Sequence, residues 1–410
     1  MLRERSRPRI ASPTHTSVPG PRLPSAVTIT LHIGFVVAGM ATTLLGPILP
    51  ALTQRWAMSD VVAGSLFTAQ FLSSMTATLV APATAARIGA RGALALGFSL
   101  LAAGTFTIGI SPHAIGVVAT VVYGLGLGFV LPLTNMSVAA IRPDRAASAL
   151  SLVNVSWGIG AVIWPMAVRS FGTPASVAVP MAGLAIACLM MAITCRFAVP
   201  AALLTVSGHK DGDVAPHPQA PSARRDLAAR AALLGTLIFL YVGTENAVAG
   251  WVAEFARRMV AGTTTVWALA PTAFWGAITA GRLLAALALR HISEFALIRF
   301  GLALATLGVL AILFAASTPG GVIAGAAAAG FGLSAIFPLL WAIVTRSIGA
   351  MAPGTAGPLY AAGGLGGAVM PWLVGAVSSA AGNLRAGLAV PLAALVVLVL
   401  CSWLRVVREP

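Results

Sequence analysis

One carboxylate in this chain stands apart from the others, because it lies inside a long apolar segment. There are ten acidic residues among the 410, and all except Glu245 fall in polar stretches or at the ends of apolar segments. Glu245 lies about 15 residues, or roughly 22 Å of helix, beyond Arg230. A charged carboxylate at such a depth is costly, so it pairs, faces a polar interior or takes up a proton. Glu245 is therefore a candidate for proton coupling or substrate binding, or else it is a fixed strut.

Other polar and aromatic residues in apolar segments are weaker candidates of the same kind. Tyr241 lies one helical turn before Glu245 on the same face and is its predicted partner. His32 could relay protons, because an imidazole titrates near neutrality, or it could simply pack. Amides can bind hydroxyl groups, and aromatic rings can stack on sugar rings. For the amides, hydrogen bonding between helices is an equally good explanation. The candidates of these two types are Gln70, Asn135, Asn154, Trp157, Trp275, Trp341 and Tyr360.

The same residues exclude several classes of function. The three cysteines lack the spacing of metal ligands, and we predict neither a metal nor a cofactor. No G-x-x-x-x-G-K-S/T loop is present to hold a nucleotide phosphate. No apolar segment supplies two carboxylates for an intramembrane hydrolase, so we do not expect an enzyme. The formal charge of +15 comes from arginines in loops and tails, and the chain has no nucleic-acid-binding motif.

Composition shows which elements must position these residues. The chain is 58% hydrophobic, with a mean hydropathy of +0.94. Only 9% of its residues are charged, which is far below the charged fraction of a soluble protein. A bilayer core is crossed by roughly 20 apolar helical residues, and twelve such segments occur. We therefore predict an all-α membrane protein with two six-helix bundles. The segments lie near 26–50, 61–81, 92–111, 114–140, 148–170, 176–199, 230–252, 265–289, 296–316, 320–345, 357–380 and 386–404.

Charge sets the predicted domains and orientation. Residues 1–25 read as a disordered tail, 26–199 and 229–410 as the two bundles, and 200–228 as the linker between them. Twenty of the 25 Lys and Arg residues fall on one side of this arrangement, so we expect both termini in the cytoplasm. The predicted location is the inner membrane of the cell. We expect a monomer that contacts the lipid bilayer.

An internal repeat relates the two halves. Glycines and prolines in the fourth and fifth segments recur in the tenth and eleventh at an offset of 206 positions. Glycine faces let helices approach closely, and proline loosens a helix where it must bend. We therefore predict hinges at Gly158, Pro165, Gly364 and Pro371. Duplicated halves that rock about a central site are the architecture of alternating access.

The loop after the second segment carries a likeness to a known family. The stretch PATAARIGAR (82–91) resembles the Gly-x-x-x-Asp-Arg-x-Gly-Arg-Arg motif of the major facilitator superfamily. Arg87, Gly89 and Arg91 match that motif, whereas Ala86 replaces its acidic residue. The resemblance implies twelve helices in two pseudo-symmetric bundles and an inner-gate role for the three matching residues.

A narrower likeness concerns the seventh segment. YVGTENAVAGWVAEFARR (241–258) is similar to a pattern of the branch related to fucose–proton symporters, as are Asn135 and the Gly281–Arg282 pair. The branch's acids on the first and fourth helices are absent here. The likeness implies transport of a small, sugar-like solute by a secondary transporter, either coupled to protons or facilitative, with Arg282 at a gate or inner loop. Efflux of amphipathic drugs or metabolites is the alternative, and a non-transporting sensor or intramembrane enzyme is the remote one.

Overall fold

The computed structural model of the chain describes residues 25–173, 176–204, 221–260, 266–315, 318–348 and 356–403. The described residues are almost entirely helical and include no named strand. The α-helices are α1 (Ser25–Thr42), α2 (Leu45–Arg55), α3 (Asp60–Ile110), α4 (His113–Ile141), α5 (Ala146–Phe171), α6 (Ala178–Ala198), α7 (Pro221–Met259), α8 (Val266–Ala288), α9 (Glu294–Phe314), α10 (Pro319–Leu333), α11 (Ile336–Ile348), α12 (Ala356–Ala381) and α13 (Leu384–Cys401). Helix α7 thus begins inside the predicted linker.

The predicted twelve-span, all-helical fold is confirmed. Ten helices among the described residues are long and apolar enough to cross a membrane, with α10 and α11 counted together. Helix α3 has 51 residues and contains two predicted spans, while α8 supplies the remaining one. Helices α1 and α2 together form the first span. Of the predicted tail (residues 1–25), residues 1–24 lie outside the described residues, and Ser25 begins α1.

Local backbone chemistry explains where the helices are interrupted. Gly89 bends α3 between its two spans, with φ 77° and ψ 160°, a region of backbone space that is essentially reserved for glycine. The first span is interrupted at Thr43 and Leu44, just before the Gly46–Pro47 pair. The tenth span is interrupted between Leu333 and Ile336. At each of these breaks the chain changes direction within the bundle.

Close glycine contacts hold each half together in matching ways. A side-chain carbon on Gly160 of α5 would strike the Val36 carbonyl of α1. A side-chain carbon on Gly366 of α12 would strike the Phe239 carbonyl of α7 in the same manner. Such contacts require glycine because the two backbones touch. They are what a repeat of the two halves would produce, and the symmetry of the halves itself remains a prediction.

The halves, α1–α6 and α7–α13, meet mainly along three helix pairs, with a smaller contact between α2 and α8. Helix α3 packs on α12, α5 on α8, and α2 on α7. We call the end of the bundle that carries Arg55, Asp60 and Met259 the far end. The opposite end, which carries Ser25 and Cys401, is the terminal end. The pairing of α2 with α7 brings the two halves together at the far end.

The four predicted hinge residues lie within continuous helices. Gly158 and Pro165 are inside α5, and Gly364 and Pro371 are inside α12. Gly158 faces Thr279 of α8 and Gly364 faces Met75 of α3, so both lie where the halves touch. The structure therefore shows close packing between the halves at Gly158 and Gly364, and bending at the four positions stays a prediction.

Candidate solute-binding cavity

Glu245 lies on α7 between the halves and has two partners. Its carboxylate accepts a hydrogen bond from the Tyr241 hydroxyl, one turn earlier on the same helix. The Arg282 guanidinium of α8 lies 3.7 Å from the Glu245 Oε2 atom. The Glu245 side chain is 12% exposed and that of Arg282 is 28% exposed. The predicted Tyr241 partner is present, and the strongest electrostatic partner is one that the sequence did not indicate.

The structure places Arg282 inside a helix rather than in an inner loop, and a gating role for it stays a prediction. The residue lies inside α8, which continues to Ala288, and its side chain reaches into the bundle. The guanidinium lies 5.5 Å from the centre of the Trp157 ring, within cation–π range. Its Nε atom is buried and has no hydrogen-bond partner among the described residues. Arg282 therefore brings an unused donor to the same place as Glu245.

Two tryptophans from opposite halves form a wall beside this pair. Trp157 of α5 and Trp275 of α8 meet edge to face, with ring centres 5.6 Å apart. The Trp157 Nε1 atom donates to the Thr42 hydroxyl at 3.3 Å, which fixes the ring against α1. The structure thus brings Trp157 to the charged pair and Trp275 against Trp157.

A column of aromatic rings leads from Tyr241 towards the terminal end. Tyr241 stacks on Phe337 of α11 at 5.8 Å, and Phe337 meets Trp341 edge to face at 6.1 Å. Trp341 in turn stacks on Tyr360 of α12 at 4.2 Å. Tyr360 is 63% exposed, so the column ends at an open surface. Sequence reasoning missed Phe337, whose signal was its position one turn before Trp341.

A small polar pocket lies next to the charged pair, on the side of the far end. It is lined by residues of both halves, among them Thr42, Gln70, Asn246 and Trp275, and has a volume of about 20 Å³. A cavity needs only about 10–15 Å³ by this measure to hold one water molecule, so this one is too small for a sugar. In this structure the two halves therefore leave no room for a sugar in this pocket. Asn246 is a further residue missed from the sequence, although it adjoins Glu245.

The remaining amide and histidine candidates lie apart from the pair. His32 of α1 is hydrogen-bonded through Nδ1 to the Ser156 hydroxyl at 2.8 Å. The amide groups of Asn135 and Asn154 donate to backbone carbonyls of their own helices. Asn154 is exposed, whereas the Oδ1 atom of Asn135 is buried and unpartnered among the described residues. Among the described residues, no hydrogen bond or ion pair joins these three side chains to Glu245.

The predicted inner-gate residues lie on the bend of α3 at the terminal end. Arg87 is exposed and Arg91 is half-buried. The bend at Gly89 packs against the backbone of Ala201. Their gating role stays a prediction.

Comparison with known proteins places the chain in a family. The Major Facilitator Superfamily model matches residues 31–357, which is well over half of the chain. The chain belongs to the Major Facilitator Superfamily, and it is a membrane transporter rather than an enzyme. We found no significant match among curated protein sequences.

Solved structures share this fold at low sequence identity. A nucleoside transporter superposes with a TM-score of 0.74 at 11% identity, covering 92% of this chain and 98% of that one. A D-xylose–proton symporter gives a TM-score of 0.69 at 14% identity, covering 92% and 97%. The E. coli fucose–proton symporter gives 0.56 at 17% identity, covering 92% and 97%. At such identities the likeness establishes the fold, and the solute must be argued from the cavity.

Proposed function

We propose that this protein is a secondary active transporter that moves a small, neutral, sugar-like solute across the membrane by alternating access. The observation that carries the proposal is the Glu245–Arg282 pair, placed between the halves and flanked by Trp157 and Trp275. A site on the boundary between two rocking halves is where alternating access requires it.

The chemistry of the pair favours a neutral solute rich in hydroxyl groups. The carboxylate of Glu245 accepts hydrogen bonds, while Arg282 offers donors that include the unpartnered Nε atom. The two charges cancel, so the pair does not select for an ionic solute. Trp157 and Trp275 add apolar aromatic surface, which suits the faces of a sugar ring. The similar xylose and fucose symporters are consistent with this solute class.

Proton coupling is assigned to Glu245. A proton on its carboxylate would end the attraction to Arg282 and free the guanidinium for the solute. Release of the proton would restore the pair and favour the empty state. Protonation and solute binding at one pair are thereby linked, as coupling requires. A carboxylate that served only as a strut would show no such link.

Transport in proteoliposomes tests this assignment. A thermal-shift screen across sugars, nucleosides, organic acids and drugs first identifies a binding solute. With that solute, Glu245→Gln should keep counterflow exchange but lose accumulation driven by a pH gradient. Glu294→Gln, which removes a partly exposed carboxylate of α9 paired with Arg346, is the matched control and should retain both activities. Accumulation by Glu245→Gln at the unmodified rate would remove Glu245 from the coupling mechanism.

The orientation and assembly belong to the same proposal. We place the terminal end in the cytoplasm and the far end outside, in the inner membrane, with a monomer of two bundles (26–199 and 229–410) as the working unit. The excess of Lys and Arg on the terminal side supports this orientation. Labelling of a cysteine engineered at Ala380, on the far end of α12, by an impermeant reagent in intact cells checks it. Protection of that cysteine in intact cells would reverse the assignment.

Efflux of amphipathic compounds is the second candidate. The observation in its favour is a mainly apolar cavity of about 530 Å³ between residues 231–239 of α7 and 358–365 of α12, lined by Phe239, Leu359 and Leu365 among others. A deletion strain would be hypersensitive to amphipathic drugs if the protein exported them. Unchanged sensitivity together with measurable sugar uptake would dismiss this candidate.

A further inference from the structure

The far end of the bundle holds a cluster of four charged residues that the solute cavity does not use. We call Asp60, Glu254, Arg257 and Arg258 the far-end cluster. Sequence reasoning assigned these residues only to loops and helix ends. Asp60 begins α3 in the first half, and the other three lie at the end of α7 in the second half. Two carboxylates and two guanidinium groups leave the cluster without net charge.

Glu254 is the buried centre of the cluster. Its side chain has no exposed surface, and its carboxylate accepts hydrogen bonds from both arginines. Arg257 donates through Nε at 2.8 Å, and Arg258 donates through Nε at 2.6 Å. These bonds stay within α7, because the residues are three and four positions apart. Glu254 therefore holds the Arg258 guanidinium in place through a contact that lies within the second half and needs no residue of the first half.

Arg258 also crosses to the first half. Its two terminal nitrogens donate to the two oxygens of Asp60, at 2.9 Å and 2.5 Å. The Ser378 hydroxyl of α12, also from the second half, donates to Asp60 at 2.5 Å. A bidentate Arg–carboxylate pair is among the strongest and most directional of hydrogen-bonded contacts. At the far end, Arg258 and Ser378 of the second half thus both bind the Asp60 carboxylate of the first half.

The contact between Arg258 and Asp60 can be broken at low cost. The Arg258 side chain is 28% exposed, so water can replace Asp60 as its partner. After separation Arg258 keeps Glu254, and Asp60 keeps the favourable field at the N-terminus of α3. Neither charge is left buried and unpaired. Breaking an ion pair is costly when it leaves such a charge behind. A permanent brace would have no need of a second carboxylate that holds the cation on its own side.

We infer that Asp60 and Arg258, with Glu254 holding Arg258 in place, form a latch that keeps the far end closed and opens during the transport cycle. Helix α7 joins the latch to the solute site, since Glu254 and Glu245 are nine residues or about 14 Å apart along it. The inference rests on alternating access in the proposed function. It does not depend on the identity of the solute or on proton coupling.

Distances between spin labels at the far end test the latch without any solute. The full chain, with its three cysteines replaced by alanine, carries labels at Ser170→Cys on α5 and Ala380→Cys on α12. Both sites are exposed and lie in different halves. In lipid nanodiscs the parent should show mainly the short, closed distance. Asp60→Asn and Arg258→Gln should each raise the ratio of long to short distances at least about tenfold, which is within the usual range of coupling between sites.

Three further variants keep the experiment decisive. Glu294→Gln removes an Arg–carboxylate pair that lies wholly within the second half, and it should leave the distances unchanged. The Asp60→Asn/Arg258→Gln double variant should open the far end no more than the stronger single variant, because both break one contact. Ser378→Ala removes one hydrogen bond to Asp60 and should give a smaller shift in the same direction, even if a charge variant fails to fold.

The outcomes separate the latch from the proposed function. Distances that stay closed in Asp60→Asn, Arg258→Gln and Ser378→Ala would overturn the latch, even if sugar transport were demonstrated. An equal shift in Glu294→Gln would overturn it as well. A specific shift in the latch variants would establish it, even if no sugar were transported.

Discussion

Replacing Arg282 by methionine should reveal whether its pairing with Glu245 is real. Methionine keeps most of the length of the side chain but removes its positive charge. Two unit charges 3.7 Å apart attract by about 4 kcal/mol at the effective dielectric constant of about 20 that describes such sites. Because Arg282 is 28% exposed, solvent screens part of this attraction. We expect Arg282→Met to lower the free energy of unfolding by about 2 kcal/mol.

A double-mutant cycle separates the pair from the packing of each side chain. Glu245→Gln alone should cost about 1 kcal/mol, since the remaining guanidinium is 28% exposed and can be hydrated there. The double variant should be no less stable than Arg282→Met, because the charge left unpaired by the single replacement has been removed. Thermal unfolding of purified protein in detergent ranks the variants. Arg346→Met, which breaks an exposed pair with Glu294, is the control and should cost under about 1 kcal/mol.

The result that would refute this reasoning is additivity. If the losses of the two single variants sum to that of the double variant, Glu245 and Arg282 do not interact in the folded protein. Solute binding at a charged pair would then have no basis. A coupling above about 0.5 kcal/mol exceeds the usual scatter for independent sites.

Two further predictions concern glycines. Gly89→Ala should destabilise the protein by about 1–3 kcal/mol, because an alanine at φ 77° is strained; Gly183→Ala, where a side-chain carbon meets open space, should be neutral in the same thermal-shift measurement. Gly366→Ala should cost about 1–3 kcal/mol by overpacking, since the new carbon would lie 2.9 Å from the Phe239 carbonyl carbon. Gly357→Ala, with nothing nearby, is its control on α12. Equal unfolding temperatures within either pair would contradict the packing described.

Much of the fold could be predicted because hydrophobic length is a local property. Each apolar segment reports its own span, and twelve were recognised from the sequence alone. The bend at Gly89 follows from a glycine in the polar stretch between two spans. The breaks in the first and tenth spans were not foreseen. They depend on how α1 and α10 pack on their neighbours, which no single segment records.

The site was predictable only where its members share a helix. Tyr241 and Glu245 are four positions apart, so helical geometry alone brings them together. Arg282 comes from another helix, and its pairing depends on the rotation of α8 about its axis. Phe337 was overlooked for a similar reason, since a phenylalanine in an apolar segment looks like any other lipid-facing residue. Its stacking on Tyr241 appears only when α7 and α11 are side by side.

By itself, the sequence determined a membrane protein with twelve spans and a single deep carboxylate at Glu245. Those properties depend on hydropathy and on spacing along one helix, which act over a few turns. Only the tertiary structure decided which cation meets Glu245 and that Asp60 and Arg258 join the halves. Ion pairs between helices depend on distances of a few ångströms between residues far apart in the chain. Such distances are set by the packing of whole helices, so the residues that link the two halves became visible only in three dimensions.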